Sequence, residues 1–347
     1  METGLPVLLP IQVFSQGGGV LLTALLVLSG FIAVSASVNL CSRKPVWQGA
    51  SGVLLATINL LFIVGFLWIC WFHWQIFTKL SLALPENLSG WVNRQLEIMN
   101  SNSDYGMPLY NPDAPPRYRI PFWIENEKYY FWFMCYALMV LPVHFRLQAH
   151  RFRAVLHLFL AVQVATLFFL ADPFIRPLPQ FFSEISPFYR AGQSLMEQAG
   201  YFMRLYPKMI FYYNAHYMWF HPPLLFISYG SITIIFITSI FMLIKRDQAT
   251  EKIGYGFAKL GFLMLTLGML LGYPWALKAW GPNWWWDPKI CSSLMMWAVF
   301  STYLHTRLYA NKQSMWYFTS FLGIICFLAM IFTFLTSFYF PGEHTFQ

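Results

Sequence analysis

Residues 219–244 read WFHPPLLFISYGSITIIFITSIFMLI. After His221 this run contains no Asp, Glu, Lys or Arg. About 20 mainly apolar residues cross a bilayer as a helix, which satisfies its backbone donors and acceptors internally. The run therefore reads as a membrane span. Similar runs recur at 18–40, 51–78, 128–145, 153–171, 256–277, 289–309 and 315–337. Composition agrees: of 347 residues, 58% are hydrophobic, 20% aromatic and 10% charged. A soluble domain carries about 25% charged residues, so this chain cannot cover a soluble surface. The expected fold is an all-α polytopic integral membrane protein with about eight transmembrane helices. A soluble enzyme, a disordered chain and a secreted disulfide scaffold are excluded.

The net charge of +8 is explained by topology and not by nucleic acid, for which the sequence has no motif. Arg43 and Lys44 follow the first span; Arg146, Arg151 and Arg153 lie between the third and fourth. Lys245, Arg246 and Lys252 follow the fifth, and Arg307 and Lys312 the seventh. These short basic connections fall on one side, which the positive-inside rule makes cytoplasmic or stromal. Most carboxylates, among them Glu86, Asp113, Glu125, Glu184 and Asp287, fall on the other. Both termini are then expected to face outward, to periplasm or thylakoid lumen. The first segment lacks the basic start of a cleavable signal and is expected to stay as a span. The five cysteines form no Cys-x-x-Cys pair and read as small hydrophobes.

Two outward connections are long. Residues 79–127 contain the Pro-rich tract Met107–Pro116, expected to be extended because proline fixes φ and removes donors. Residues 172–217 mix aromatic, basic and polar side chains. Long connections between spans are often binding elements. The chain divides into an N-terminal transmembrane region, 1–215, carrying both loops, and a region 216–347 that holds the densest chemical signal.

That signal is Trp280-Gly281-Pro282-Asn283-Trp284-Trp285-Trp286-Asp287-Pro288, on the outward side between the sixth and seventh spans. Interfacial anchoring accounts for scattered tryptophans but less well for four in seven residues. Indoles can line a slot, stack on a planar macrocycle and donate N–H bonds to carboxylates. Gly281 and Pro282 suit a turn. Asp287 suits the cap of the next helix, with Pro288 at its first position.

These residues carry a resemblance. Trp280-Gly281-x-x-Trp284-Trp285-Trp286-Asp287 resembles the WWD signature of the haem-handling CcsA, CcmC and CcmF families. Asp287-Pro288-Lys289, with Leu304-His305-Thr306-Arg307 at the end of the span, looks most like CcsA (ResC). His221 with Ile227-Ser228-Tyr229 resembles the segment carrying the first external histidine of that family. His344, in Glu343-His344-Thr345-Phe346, stands in the place of the second. The resemblance covers about 216–347. It departs at Ile290-Cys291-Ser292-Ser293, where CcsA usually has a Glu and a Trp, and there it partly resembles CcmC.

The resemblance implies haem b as ligand, with His221 and His344 as axial ligands and Trp280, Gly281, Trp284, Trp285, Trp286 and Asp287 around the ring. Topology puts His221, His344 and the tryptophan loop on one face, and imidazole is a standard axial ligand. The resemblance also implies that His305 binds a second haem within the membrane, with a partner ligand from a CcsB/ResB-like protein. His157 is expected at a similar depth to His305, and a His157–His305 pair within this chain is the alternative. His144 and His150 lie with the inner basic cluster and read as solvated or lipid-headgroup residues; His216, near His221, reads as a substitute for it or a supporting neighbour, and His73 has no assigned role.

The implied function is transport and presentation of haem, followed by thioether ligation to an apocytochrome c Cys-x-x-Cys-His segment as part of a cytochrome c synthetase complex. No catalytic acid or nucleophile is evident on this chain; the thiols belong to the substrate. Two other readings stay open. One is a haem b-containing electron-transfer subunit of a respiratory complex. The other is haem delivery without ligation. The membrane would be a bacterial inner membrane or a thylakoid membrane.

Overall fold

The computed structural model describes residues 9–41, 45–102, 106–190, 192–309 and 313–342. Eight long helices fall on the eight apolar runs: α1 (Ile11–Cys41), α2 (Pro45–Lys79), α4 (Glu127–Arg146), α5 (His150–Leu170), α8 (His221–Ile244), α9 (Gln248–Trp280), α10 (Pro288–Arg307) and α11 (Gln313–Tyr339). The shorter α3 (Glu86–Ser101), α6 (Pro179–Ile185) and α7 (Leu195–Lys208) lie in the two long connections. Six helices, α1, α2, α5, α8, α9 and α11, are long and apolar enough to cross a membrane by length and composition. The protein is an all-α integral membrane protein. Helices α4 and α10 are 20 residues each but carry more polar side chains, including Glu127, Lys128, Lys289 and His305.

Helix α8 is the centre of the bundle: 67% of its most apolar window is buried, against 33–44% in the other five apolar helices. It packs on α4, α9 and α11. Helix α9 approaches it closely because Gly254, Ala258, Gly261, Gly268 and Gly272 share its buried face. A Cβ on Gly261 would lie 2.8 Å from Ser231 Cβ, so the backbone contact requires glycine. At the basic end, Arg307 pairs with Glu251, and Arg246 stacks 4.8 Å over the Trp316 ring.

The opposite end, here the loop face, carries both long connections. Met107–Pro116 holds no helix, as its prolines require. Trp123 Nε1 donates to Met218 O (2.7 Å), Tyr189 Oη to Ser81 O (2.8 Å) and Tyr206 Oη to Pro108 O (2.9 Å). These bonds join the two connections into one cap over the bundle. Helix α7 starts with a capping box: Ser194 and Glu197 each bond the other's backbone N–H. Both ends of the described chain reach this face. Phe14 packs on Phe72 and Phe174, and a Cβ on Gly342 would meet Asp287 Oδ2 at 2.5 Å.

One strained junction holds the cap to α4. Glu125 has φ 48° and Leu178 φ 41°, in the left-handed region that costs an ordinary residue roughly 1–2 kcal/mol. The Glu125 carboxylate accepts from Gln180 N (2.7 Å) and Phe181 N (3.0 Å), and Glu127 Oε1 accepts from Leu178 N (3.2 Å). Burial pushes the Glu125 carboxyl up to about 7, against the pull of those N–H groups. A free glutamate titrates near about 4.3, so its folded value is raised. The stability it contributes is complete below the free value and is lost as pH rises through about 7. Residues 171–220 are therefore expected to be cut faster by protease at about pH 8.5 than at about pH 5.5. Glu125→Gln should remove that difference under the same conditions; a pH response unchanged by the substitution would contradict this assignment.

Candidate functional site

The cap and the bundle enclose a cavity of about 470 Å³ at the loop face. It lies where α8, α9 and the first turns of α4 and α10 meet the π-helical turn Met209–Tyr213. Such turns interrupt α-helices mainly at functional sites; this one follows Pro207 and brings Phe211 and Tyr212 to the wall. Aromatic walls also come from Trp123, Tyr229, Trp275 and Trp280. Trp275 and Trp280 meet edge to face, with centroids 4.6 Å apart at 70°.

His221 opens α8, ahead of Pro222 and Pro223, and lines this cavity. Its Nδ1 lies 2.6 Å from Gly268 O. A carbonyl only accepts, so Nδ1 carries a hydrogen, and in the neutral ring the lone pair is then on Nε2. Such a bond orients a metal-binding imidazole and fixes its tautomer. The ring sits against Gly272, where a Cβ would come within 2.6 Å of Nδ1 and 2.7 Å of Cε1.

The tryptophan loop divides between two environments. Gly281, at φ 75°, ends α9 and turns the chain. Asp287 Oδ1 accepts from Lys289 N (2.9 Å) and Ile290 N (3.3 Å), and Pro288 takes the first position of α10. Both turn and cap are as the sequence predicts. Trp280 lines the cavity. Trp284 stacks edge-on to Tyr273, 5.3 Å away. Trp285 and Trp286 lie side by side on the surface, 50% and 69% exposed. Of the four loop indoles Trp280 lines this cavity, beside Trp275 and Trp123 from other segments. Trp275 Nε1 donates to Phe211 O (2.8 Å), and both residues also line a larger cavity of about 990 Å³ with Arg117, Arg119, His216 and Lys278.

His344 lies outside the described residues. His305 is exposed on α10, far along the helix from the tryptophan loop, with Nδ1 2.8 Å from Ser301 O. His157 is fully buried beside His144, ring centroids 5.1 Å apart, between α4 and α5. His157 thus lies beside His144, while α10 leaves His305 exposed. One reading is corrected here: His144 is buried and not at a solvated or headgroup surface; Arg153 donates to its carbonyl (2.9 Å) and to Gln48 Oε1 (2.9 Å). Both ring nitrogens of His157 lack a hydrogen-bond partner among the described residues. His73 is structural: its Nδ1 bonds Ile120 O at 3.0 Å and ties α2 to the cap.

Fold and site together define a polytopic membrane protein that keeps an oriented histidine in an aromatic cavity at the loop end of its helix bundle. The sequence profile of the cytochrome C assembly protein family matches residues 124–344, more than half of the chain, and the chain belongs to that family. The match is wider than the 216–347 region on which the resemblance rests. The cytochrome c biogenesis protein CcsA of Cyanidium caldarium is 48% identical over 66 residues, 19% of this chain and 22% of that protein. CcsA of Chlamydomonas reinhardtii is 38% identical over 108 residues, 27% and 31% of the two chains. CcsA of Synechococcus sp. (strain CC9902) is 45% identical over 70 residues, 20% and 23%. These alignments span less than a third of each relative. No solved structure matches the chain.

Proposed function

We propose that this chain takes haem b at the loop face and presents it to apocytochrome c for thioether formation, together with a CcsB/ResB-like membrane protein. The observation that carries this reading is the cavity at His221. Its volume of about 470 Å³ lies within the roughly 300–1,000 Å³ of small-molecule sites. Its aromatic walls suit a flat apolar ring, and the Nδ1 bond to Gly268 O aims Nε2 chemistry at an iron. His344 is the proposed second axial ligand; it follows Gly342, which packs on Asp287, by two residues of sequence. Basic connections opposite the loop face support an outward cavity, toward periplasm or lumen, and eight crossings.

The chain's contribution is positioning. When bound, haem supplies two vinyl groups; each takes up one thiol of the Cys-x-x-Cys-His segment, the sulfur bonding one carbon and the thiol hydrogen ending on its neighbour. Holding ring and peptide together makes that addition nearly intramolecular. The exposed Trp285 and Trp286 offer the approaching peptide an aromatic surface. The exposure of His305 supports a ligand role shared with the partner protein and not within this chain.

The test is co-expression of an apocytochrome c with the partner, with and without this chain. Covalent haem staining of the cytochrome should depend on the chain. Equal staining without it, alongside redox-active haem b retained by the chain, would replace this reading with the electron-transfer one.

A further inference from the structure

At the basic end of the bundle, two histidines that the proposed function does not use lie side by side. His144 stands in the last turn of α4. His157 lies on α5, roughly 10 Å from its start at 1.5 Å per residue. Their ring centroids are 5.1 Å apart and the rings are tilted by 31°. Both side chains are buried, His157 to 1% exposure. Neither ring nitrogen of His157, nor Nδ1 of His144, has a hydrogen-bond partner among the described residues. Buried polar atoms are almost always bonded, so three of them on two adjoining rings call for a bound species.

Packing holds the pair in place. Arg153 precedes His157 by one turn on the same face of α5. It donates to the His144 carbonyl at the end of α4 (2.9 Å) and to Gln48 Oε1 at the start of α2 (2.9 Å), which clamps three helices around the rings. Gly52 of α2 leaves space for the His144 ring: a Cβ there would lie 2.9 Å from Nε2. Two imidazoles on one ion, each nitrogen about 2.0–2.1 Å from it, put their centroids about 5 Å apart at a tetrahedral angle and about 6 Å apart in line. The observed 5.1 Å fits such a bridge and is narrower than a macrocycle between the rings requires. The surrounding groups are neutral or positive: two imidazoles, a carbonyl, an amide and a guanidinium. A dication there would add to the Arg153 charge with no carboxylate among these ligands, which burial penalises. A monovalent ion adds least, and copper is among the metals that imidazole suits.

We propose that His144 and His157 together bind one metal ion of copper(I) chemistry, at the opposite end of the bundle from His221. The ring nitrogens are the protein's ligands, and Arg153 and Gly52 act by positioning the His144 ring. The site shares no residue with the loop-face cavity, so it stands or falls apart from the haem reading.

The test uses the full chain in nanodiscs, anaerobic and with ascorbate, after the exposed thiols of Cys41 and Cys291 are alkylated. Copper(I) is titrated against a chromogenic chelator. The unaltered chain is expected to withdraw one equivalent more than His144→Gln or His157→Gln, whose affinity at the pair falls by at least about 10–100-fold. Gly52→Ala keeps both imidazoles and displaces one of them; it should weaken binding by about tenfold. Silver(I), a redox-inert stand-in, should split the ring-nitrogen signals of two histidines in the unaltered chain labelled with heavy nitrogen at histidine, a reading that needs no variant. Equal copper uptake by the unaltered chain and both Gln variants, with no splitting by silver, overturns the proposal and makes water the partner of the rings. Zinc(II) held at the pair in preference to copper(I) overturns the monovalent assignment. A Soret band that falls in His157→Gln while copper uptake is unchanged makes the pair a haem site and overturns the proposal as well.

Discussion

His221→Ala is expected to lower the haem retained by the chain by at least about tenfold and to abolish covalent cytochrome c formation, with the protein still inserted in the membrane. Even a residue that only orients a metal ligand costs about 10–100-fold in affinity when removed, and loss of the ligand itself removes more. The imidazole lies at the first turn of α8, its Nδ1 bonded to Gly268 O and its ring against Gly272. Burial of the central helix rests on Ile232, Ile234, Ile235 and Ile237, so insertion should survive. Haem absorbance of the purified chain and haem staining of the cytochrome read the two effects. Imidazole added to His221→Gly should restore the Soret band. Normal maturation by His221→Ala would remove this residue from the site.

Gly272→Ala is expected to produce a loss approaching that of His221→Ala without removing any polar group. The added methyl would stand 2.6 Å from His221 Nδ1 and 2.7 Å from Cε1, closer than any real contact. Both helices are packed, so the ring must turn, and the bond to Gly268 O is then lost. A drop of about 10–100-fold in haem affinity follows. Helix propensity works the other way, since Ala is favoured over Gly by about 1 kcal/mol in a helix interior. Gly256→Ala, on the same helix with nothing within 4 Å, supplies the control and should bind haem normally. Equal behaviour of the two variants, measured by haem titration, would show that Gly272 is not there for the histidine.

The two substitutions mark the limit of what spacing reveals. The eight long helices were legible because each falls on a long, mainly apolar run, which residue order alone displays. The Asp287 cap and the Gly281 turn were legible for a related reason: both act within four residues. The Ser194-x-x-Glu197 box that starts α7 was equally local and was passed over inside a loop assignment, as was α3.

Trp280 and His221 stood out as residue types, but their neighbours did not. Trp123, Lys128, Lys208 and Trp275 come from four separate segments, and their meeting depends on how α8, α9 and the cap close around one space. The pairing of His157 with His144 is of the same kind. Depth along a span follows from counting residues, whereas azimuth around the bundle follows from which helix faces pack. Counting put His157 level with His305; packing turned one inward and the other out. In this protein the sequence displays the long apolar helices and the local turn and cap around the tryptophan loop, through local hydrogen bonding and transfer from water. Which side chains share the cavity was decided only by helix packing, because close approach at Gly261, Gly268 and Gly272 sets the rotation of α9 against α8.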